Sequence, residues 1–385
     1  MPLRYLRATC KRDHNEEGMG SSLTFWRASA AHAIIHGLLL CCSDTPMIVG
    51  HGLGVRAHAW LGLGTGMPTT LEVATLDQVF VHEEVDYSRS PGDAELVASA
   101  AGAPFPGGLA AAVRDHPQDG VVFIMRGCPR LFRPLANGIS EQVEANLRAR
   151  YASAFSSRRV EPPWGPAASS AEFHVAVHYR AGDLFDQTRP GAVSAYAAGA
   201  LDISEEAEGA HHQYPFDTWA GGRVLTLKYV RRSIESIAAV LPADVSAVFW
   251  VYSEGRREWF EPLIAALPHH KLQLVLTPPA SEGTDPDPVD ALRHLDALAH
   301  AHVLLLGGGA YSELAASLAA SDLRSQPSIK LAPTDVWRGM PYAVPGAATI
   351  SYPEGSLSDA AAHKIRDLAA AVASRPRSNP DSADL

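Results

Sequence analysis

The residues His178-Tyr179-Arg180-Ala181-Gly182-Asp183 set an imidazole, a guanidinium and a carboxylate side by side, straight after the largely apolar run Phe173–Val177. A guanidinium is planar and permanently charged, so it can hold a phosphate or carboxylate through paired hydrogen bonds. Arg180 follows His178 by two residues, which in extended backbone turns both side chains to one face. Gly182 allows a sharp turn or a close backbone approach. In open α/β sheets, ligands sit beyond the carboxyl ends of the strands, which is where such a motif would lie. The same residue types could also end a strand on an Arg180–Asp183 ion pair.

Two more predicted strand ends carry polar or glycine-rich turns. One is Tyr252-Ser253-Glu254-Gly255. The other is Gly307-Gly308-Gly309-Ala310-Tyr311-Ser312-Glu313, which sets three glycines and Ser312 at the start of a helix. Backbone N–H groups and a hydroxyl there can face an anion. Close strand-to-helix packing would use the glycines equally well. The turn is not a P-loop, because Gly-Lys-Ser/Thr is absent, and no Gly-x-Gly-x-x-Gly fingerprint follows a first strand. Near the start of the chain, Gly18-Met19-Gly20-Ser21-Ser22 feeds an apolar helical run extending to Leu40, another turn that could leave N–H groups exposed. Asp296 precedes Ser312 by sixteen residues. A carboxylate beside a nucleotide pocket can accept two hydrogen bonds from a guanine edge, although a solvated helix acid has the same sequence signature.

Metal chemistry finds little support. Asp285 and Asp287 have Asp-x-Asp spacing, but two prolines make that stretch read as a surface turn and helix start. His211-His212 and His269-His270 are adjacent pairs whose side chains diverge in regular structure. No metal is expected.

The elements that must position these groups form a regular series after residue 170. Strands are predicted at Phe173–His178, Ala247–Tyr252, Leu272–Leu276, Val303–Leu306 and Ser328–Leu331. Helices are predicted at Val224–Leu241, Arg256–Leu267, Asp287–His300, Tyr311–Ala320 and Ala360–Ser374. Such alternation means a doubly wound parallel sheet. Before residue 160 the pattern is weaker. Pro46–Gly50 reads as a short strand, Asp77–Glu84 as a strand pair, Val121–Met125 as a buried strand, and Ile139–Phe155 as a helix with Ser140 as its N-cap. Residues 51–120 show no clear period. The stretch Pro162-Pro163-Trp164-Gly165-Pro166 disfavours both helix and ladder and marks the domain boundary. The expected organisation is an N-terminal lobe at 1–160, a second lobe at 161–375 and a disordered tail at 376–385.

Composition agrees with two folded domains. The chain has 385 residues, 46% of them hydrophobic, and a formal net charge of −10. That charge argues against a nucleic-acid partner held by a general basic field. Cys10, Cys41, Cys42 and Cys128 make no disulfide framework, and adjacent Cys41 and Cys42 are not expected to bridge readily. The first twenty residues are too polar for a signal peptide. The apolar segment Ala28–Cys42 is too short for a membrane span and reads as a buried helix. A soluble chain is expected.

Taken in order, these motifs resemble the fucosyltransferase superfamily of inverting glycosyltransferases, which includes α1,2-, α1,6- and protein O-fucosyltransferases. The resemblance rests on the turn Gly18–Ser22, the complete His-x-Arg-x-Gly-Asp at His178–Asp183, the strand end Tyr252–Gly255, and the Asp296-to-Ser312 separation. It covers roughly residues 15–40 and 173–320. It implies a two-lobed GT-B fold whose Rossmann-like second lobe binds GDP-fucose, while the first lobe faces a glycan or protein acceptor. It implies that Arg180 contacts the β-phosphate and that His178 and Asp296 contact the nucleotide, Asp296 at the guanine. Gly182 and Asp183 complete the motif, Ser312 and nearby N–H groups hold the diphosphate, and Gly20 and Ser21 lie toward the reaction centre. No cofactor or metal is implied. Asp186 is the nearest candidate for a general base. The sequence itself does not name a compartment; the resemblance implies the secretory pathway if an upstream segment is missing from this chain. Ser21 stands where the family has Asn, and Gly309-Ala310-Tyr311 where it has Ser-Ser-Phe. These departures leave open a catalytically silent relative that binds a nucleotide or glycan, or a different donor sugar.

Overall fold

The computed structural model describes residues 3–9, 19–42, 54–82, 108–126, 138–157, 172–181, 203, 225–277, 288–307, 310–319, 328–333, 347–351 and 354–374. The chain is α/β and forms two compact units, Met1–Arg159 with Pro341–Ala343, and Val160–Met340 with Val344–Leu385.

The first unit is built on a four-stranded parallel sheet. Its strands are β1 (Arg4–Thr9), β2 (Leu39–Cys41), β3 (Asp77–His82) and β4 (Val121–Arg126), in the order β2-β1-β4-β3. Its helices are α1 (Met19–Ile35), α2 (Gly54–Trp60), α3 (Thr70–Val73), α4 (Leu109–Asp115) and α5 (Ile139–Ser157).

Several sequence expectations change here. The polar start of the chain contains β1, whose Leu6 and Ala8 are buried at period two while Tyr5 and Arg7 are only partly buried. The helix expected through Leu40 stops at Ile35. Gly37 adopts φ +63°, and the Gly37 and Leu38 N–H groups bond back to the carbonyls of Ile34 and Ala33. That pair of bonds is a Schellman stop, and it frees Leu39–Cys41 to pair with β1. Asp77–His82 is one strand parallel to β4, not a strand pair. Ser140 lies inside α5 rather than capping it. Part of the stretch without a clear period folds into α2, α3 and α4, with Thr69 and Glu72 closing a capping box on α3. The strand expected at Pro46–Gly50 lies outside the described residues, as does the tail at 376–385.

The second unit carries a six-stranded, wholly parallel sheet. Its strands are β5 (Glu172–Tyr179), β6 (Ser246–Glu254), β7 (Lys271–Thr277), β8 (Val303–Leu305), β9 (Ile329–Pro333) and β10 (Ala348–Ile350), ordered β10-β9-β8-β5-β6-β7. The chain steps outward from β5 to β7, crosses back to β8 beside β5, and steps outward again to β10. This is the doubly wound strand order, and its switch point lies between β5 and β8. The helices are α6 (Leu227–Val240), α7 (Glu261–Ala266), α8 (Pro288–His300), α9 (Ala310–Leu318) and α10 (Asp359–Ala373). The predicted helix at 256–267 is instead a 3₁₀ turn, Arg257–Phe260, running into α7.

The helices cover both faces of this sheet. Phe173, Val175, Val177 and Tyr179 of β5 join Phe249 and Val251 of β6 and the apolar sides of α6 and α10 in one core. The alternate β5 residues, His174, Ala176 and His178, take the opposite face, where α8 and α9 pack against each other and α8 meets β5. Thus parity along β5 sends the apolar residues to one side and the imidazoles to the other.

Candidate active site

Register places the site. His178 pairs with Tyr252 and Tyr179 with Ser253 across β5 and β6, while Val177 pairs with Leu305 of β8. The carboxyl ends of β5, β6 and β8 therefore finish at one level. His178 and Arg180 leave β5 there, and Gly307 leaves β8 beside them. A Cβ on Gly307 would strike the His178 carbonyl oxygen and lie 2.7 Å from its Nδ1. Glycine at 307 is what lets the two strand ends close up.

His178 is half-buried, and its Nδ1 is buried without a hydrogen-bond partner. Burial, and then the nearby charges of Arg180 and His294, lower its pKa to about 3, so the imidazole is neutral at physiological pH. Its ring centroid lies 5.2 Å from that of Tyr311 in the first turn of α9. The Tyr311 hydroxyl in turn donates to the Ala291 carbonyl of α8, tying the starts of the two helices together. Burial raises the Tyr311 pKa, with Asp296 and Tyr252 adding to the effect. Tyr252 meets His294 edge-on at 5.3 Å; burial raises the tyrosine's pKa and lowers the histidine's.

The resulting cluster joins His178, Arg180, Tyr252, His294, Asp296 and Tyr311. Its permanent positive charge is the guanidinium of Arg180, beside two histidines held neutral. The first-turn N–H groups of α9 are close in sequence to Gly307 and bias this edge toward an anion.

The predicted residues divide as follows. His178, Arg180, Asp296 and Ser312 all belong to the second unit. Asp296 is 1% exposed, so its carboxylate faces inward rather than lying open to a ligand. Ser312 is fully buried and its Oγ donates to the Gly307 carbonyl at 2.7 Å. That hydroxyl ties the Gly307 carbonyl to the first turn of α9. Gly20 and Ser21 belong to the first unit and fall inside the first turn of α1, not in a turn before it. Gly182, Asp183 and Asp186 lie outside the described residues, as do Asp285 and Asp287.

Sequence reading missed His294 and the pairing of Tyr252 with it. Ring contacts between β6 and α8 have no linear signature, and i, i+2 spacing to Asp296 does not place two helical side chains on one face. Among the described residues no group of three or more His, Cys, Asp or Glu side chains could hold a metal ion. No helix among them is long and apolar enough to cross a membrane.

The fold and this cluster define a doubly wound α/β unit with polar, arginine-bearing strand ends at its switch point. No family model matches the chain, and no curated protein matches its sequence. Among solved structures, POFUT1 in complex with GDP is similar with a TM-score of 0.44 and 12% identity, over 86% of this chain and 98% of that one. POFUT1 in complex with GDP-fucose is similar with a TM-score of 0.42 and 12% identity, over the same shares.

Proposed function

We propose that the chain is a metal-independent inverting glycosyltransferase of GT-B type that takes fucose from GDP-fucose and passes it to a glycan or protein acceptor. The observation that carries this reading is the packing of Gly307 against His178, whose ring lies near the charge of Arg180, at the β5–β8 switch point. A nucleotide diphosphate suits such a crevice because its charge can lie against Arg180 and its backbone against a glycine turn.

Breaking a sugar–diphosphate bond leaves negative charge on the departing phosphate. In this reading Arg180 stabilises that charge directly, and the first-turn N–H groups of α9 share it. Neutral His178 supplies a hydrogen-bonding edge without repelling Arg180. Tyr311 fixes the ring of His178, and Ser312 holds the Gly307 turn in shape. Asp296 acts from the interior, on Tyr311. The first unit faces the acceptor. Asp186 is the proposed proton acceptor, and the proposed setting is the secretory pathway, given an upstream segment.

The test is transfer itself. Purified protein is incubated with GDP-fucose, a panel of glycan and protein acceptors, and EDTA. The proposal expects fucosylated product and released GDP, with the anomeric configuration inverted by NMR. A second reading, a silent relative that binds nucleotide or glycan, draws on Ser312, whose hydroxyl is already committed to Gly307. It expects GDP binding with no product from any acceptor.

A further inference from the structure

We propose that Cys41 and Cys42 form a vicinal pair that closes into a persistent disulfide within this chain. In a regular strand consecutive side chains point to opposite faces. Here β2 ends at Cys41, and both cysteines enter one apolar cluster with Val73, Val122 and Ile124. The Cys42 thiol donates to the Cys41 sulfur, so the two sulfurs are in direct contact. Adjacency in sequence, which argued against a bridge, is offset by the placement of both side chains in the same cluster with their sulfurs in contact.

The chemistry balances with a small-molecule disulfide as oxidant. One cysteine thiolate attacks a sulfur of that disulfide, forming a mixed disulfide and expelling one thiol. The neighbouring thiolate then attacks the mixed disulfide and expels the second thiol. The two cysteines lose two electrons and two protons, and the oxidant gains them. Both side chains are fully buried. An apolar setting disfavours the thiolate and slows exchange with outside thiols, so a closed ring would persist in the folded protein.

Peptide mapping tests this. The tryptic peptide Ala28–Arg56 contains Cys41 and Cys42 and neither Cys10 nor Cys128. Full-length protein is incubated with oxidised glutathione, in one arm while folded and in another while unfolded in urea and then refolded. Both samples are denatured, alkylated without reductant and digested. The proposal expects a peptide two hydrogens lighter than its reduced form, resistant to alkylation until reductant is added, in at least the refolded arm. Alkylation of both cysteines in both arms would overturn it. So would glutathione retained on either residue, or linkage to Cys10 or Cys128.

Discussion

Gly307 packs directly against His178: a Cβ at residue 307 would strike the His178 carbonyl oxygen and stand 2.7 Å from its Nδ1. This contact joins the ends of β5 and β8 and sets the width of the crevice between them. Gly307→Ala therefore forces the strand ends apart. The expected cost is about 1–3 kcal/mol of stability, as for other overpacked sites, together with weaker nucleotide binding. Chemical denaturation and GDP titration of the variant check both. An unchanged midpoint and affinity would show that the turn has room to spare.

Tyr311 separates ring from hydroxyl. Tyr311→Phe keeps the contact with His178 but loses the hydrogen bond to the Ala291 carbonyl. A loss of about 1 kcal/mol is expected, with nucleotide affinity nearly preserved. Tyr311→Ala removes the ring as well and should weaken GDP binding markedly. Equal affinities for the two variants would mean that the ring does not position His178.

Arg27 of α1 is 2% exposed and meets Glu144 of α5 through two contacts, at 2.7 and 3.2 Å. Arg27→Ala would leave the Glu144 carboxylate without this partner in a mostly buried setting, at a cost of about 3–5 kcal/mol. The double change Arg27→Met with Glu144→Leu should recover most of that loss. Urea melts of the single and double variants decide the matter. Failure of the double variant to recover would place the Arg27 contribution elsewhere.

Acid should loosen the protein. Burial lowers the pKa of His32 to about 3, with His36 adding to the effect, and lowers those of His36 and His58 to about 4, Arg150 contributing at His58. His178 behaves likewise, at about 3. Each folded value lies below the ordinary 6.5, so the unfolded chain binds more protons once pH falls below about 6.5. Stability is then full above that pH and declines toward about pH 4, by up to about 1.4 kcal/mol per pH unit for each histidine. The urea midpoint should fall between about pH 7.5 and about pH 5, and His58→Leu should flatten the fall. A flat midpoint in the wild type would contradict the buried, neutral state of these rings.

Legibility in the sequence followed the kind of signal each element carried. The buried strand β5 and its polar exit were readable because Val175, Ala176 and Val177 run directly into His178 and Arg180. β6 to β9 were readable because strand and helix periods alternate there, whereas β10, Ala348–Ile350, was missed because three residues are too few to show a period. β1 was missed because Arg4 and Arg7 mask the period-two burial of Leu6 and Ala8. β2 was merged into α1 because a short apolar run has no decisive period, and only Gly37 marks the break. At the site, Arg180 and His178 stand together in sequence. His294 and Tyr252 meet only because α8 packs over β6, a relation set by the tertiary fold.

The most direct measurement of the central claim is calorimetric titration of the protein with GDP in EDTA, with UDP and ADP as controls, repeated on Arg180→Ala. The account predicts selective GDP binding in the wild type. It predicts that the variant loses this binding, and that the rate of transfer drops on the order of 10²–10³-fold. Binding and transfer that survive unchanged in folded Arg180→Ala, or a folded wild type that binds no nucleotide, would contradict it.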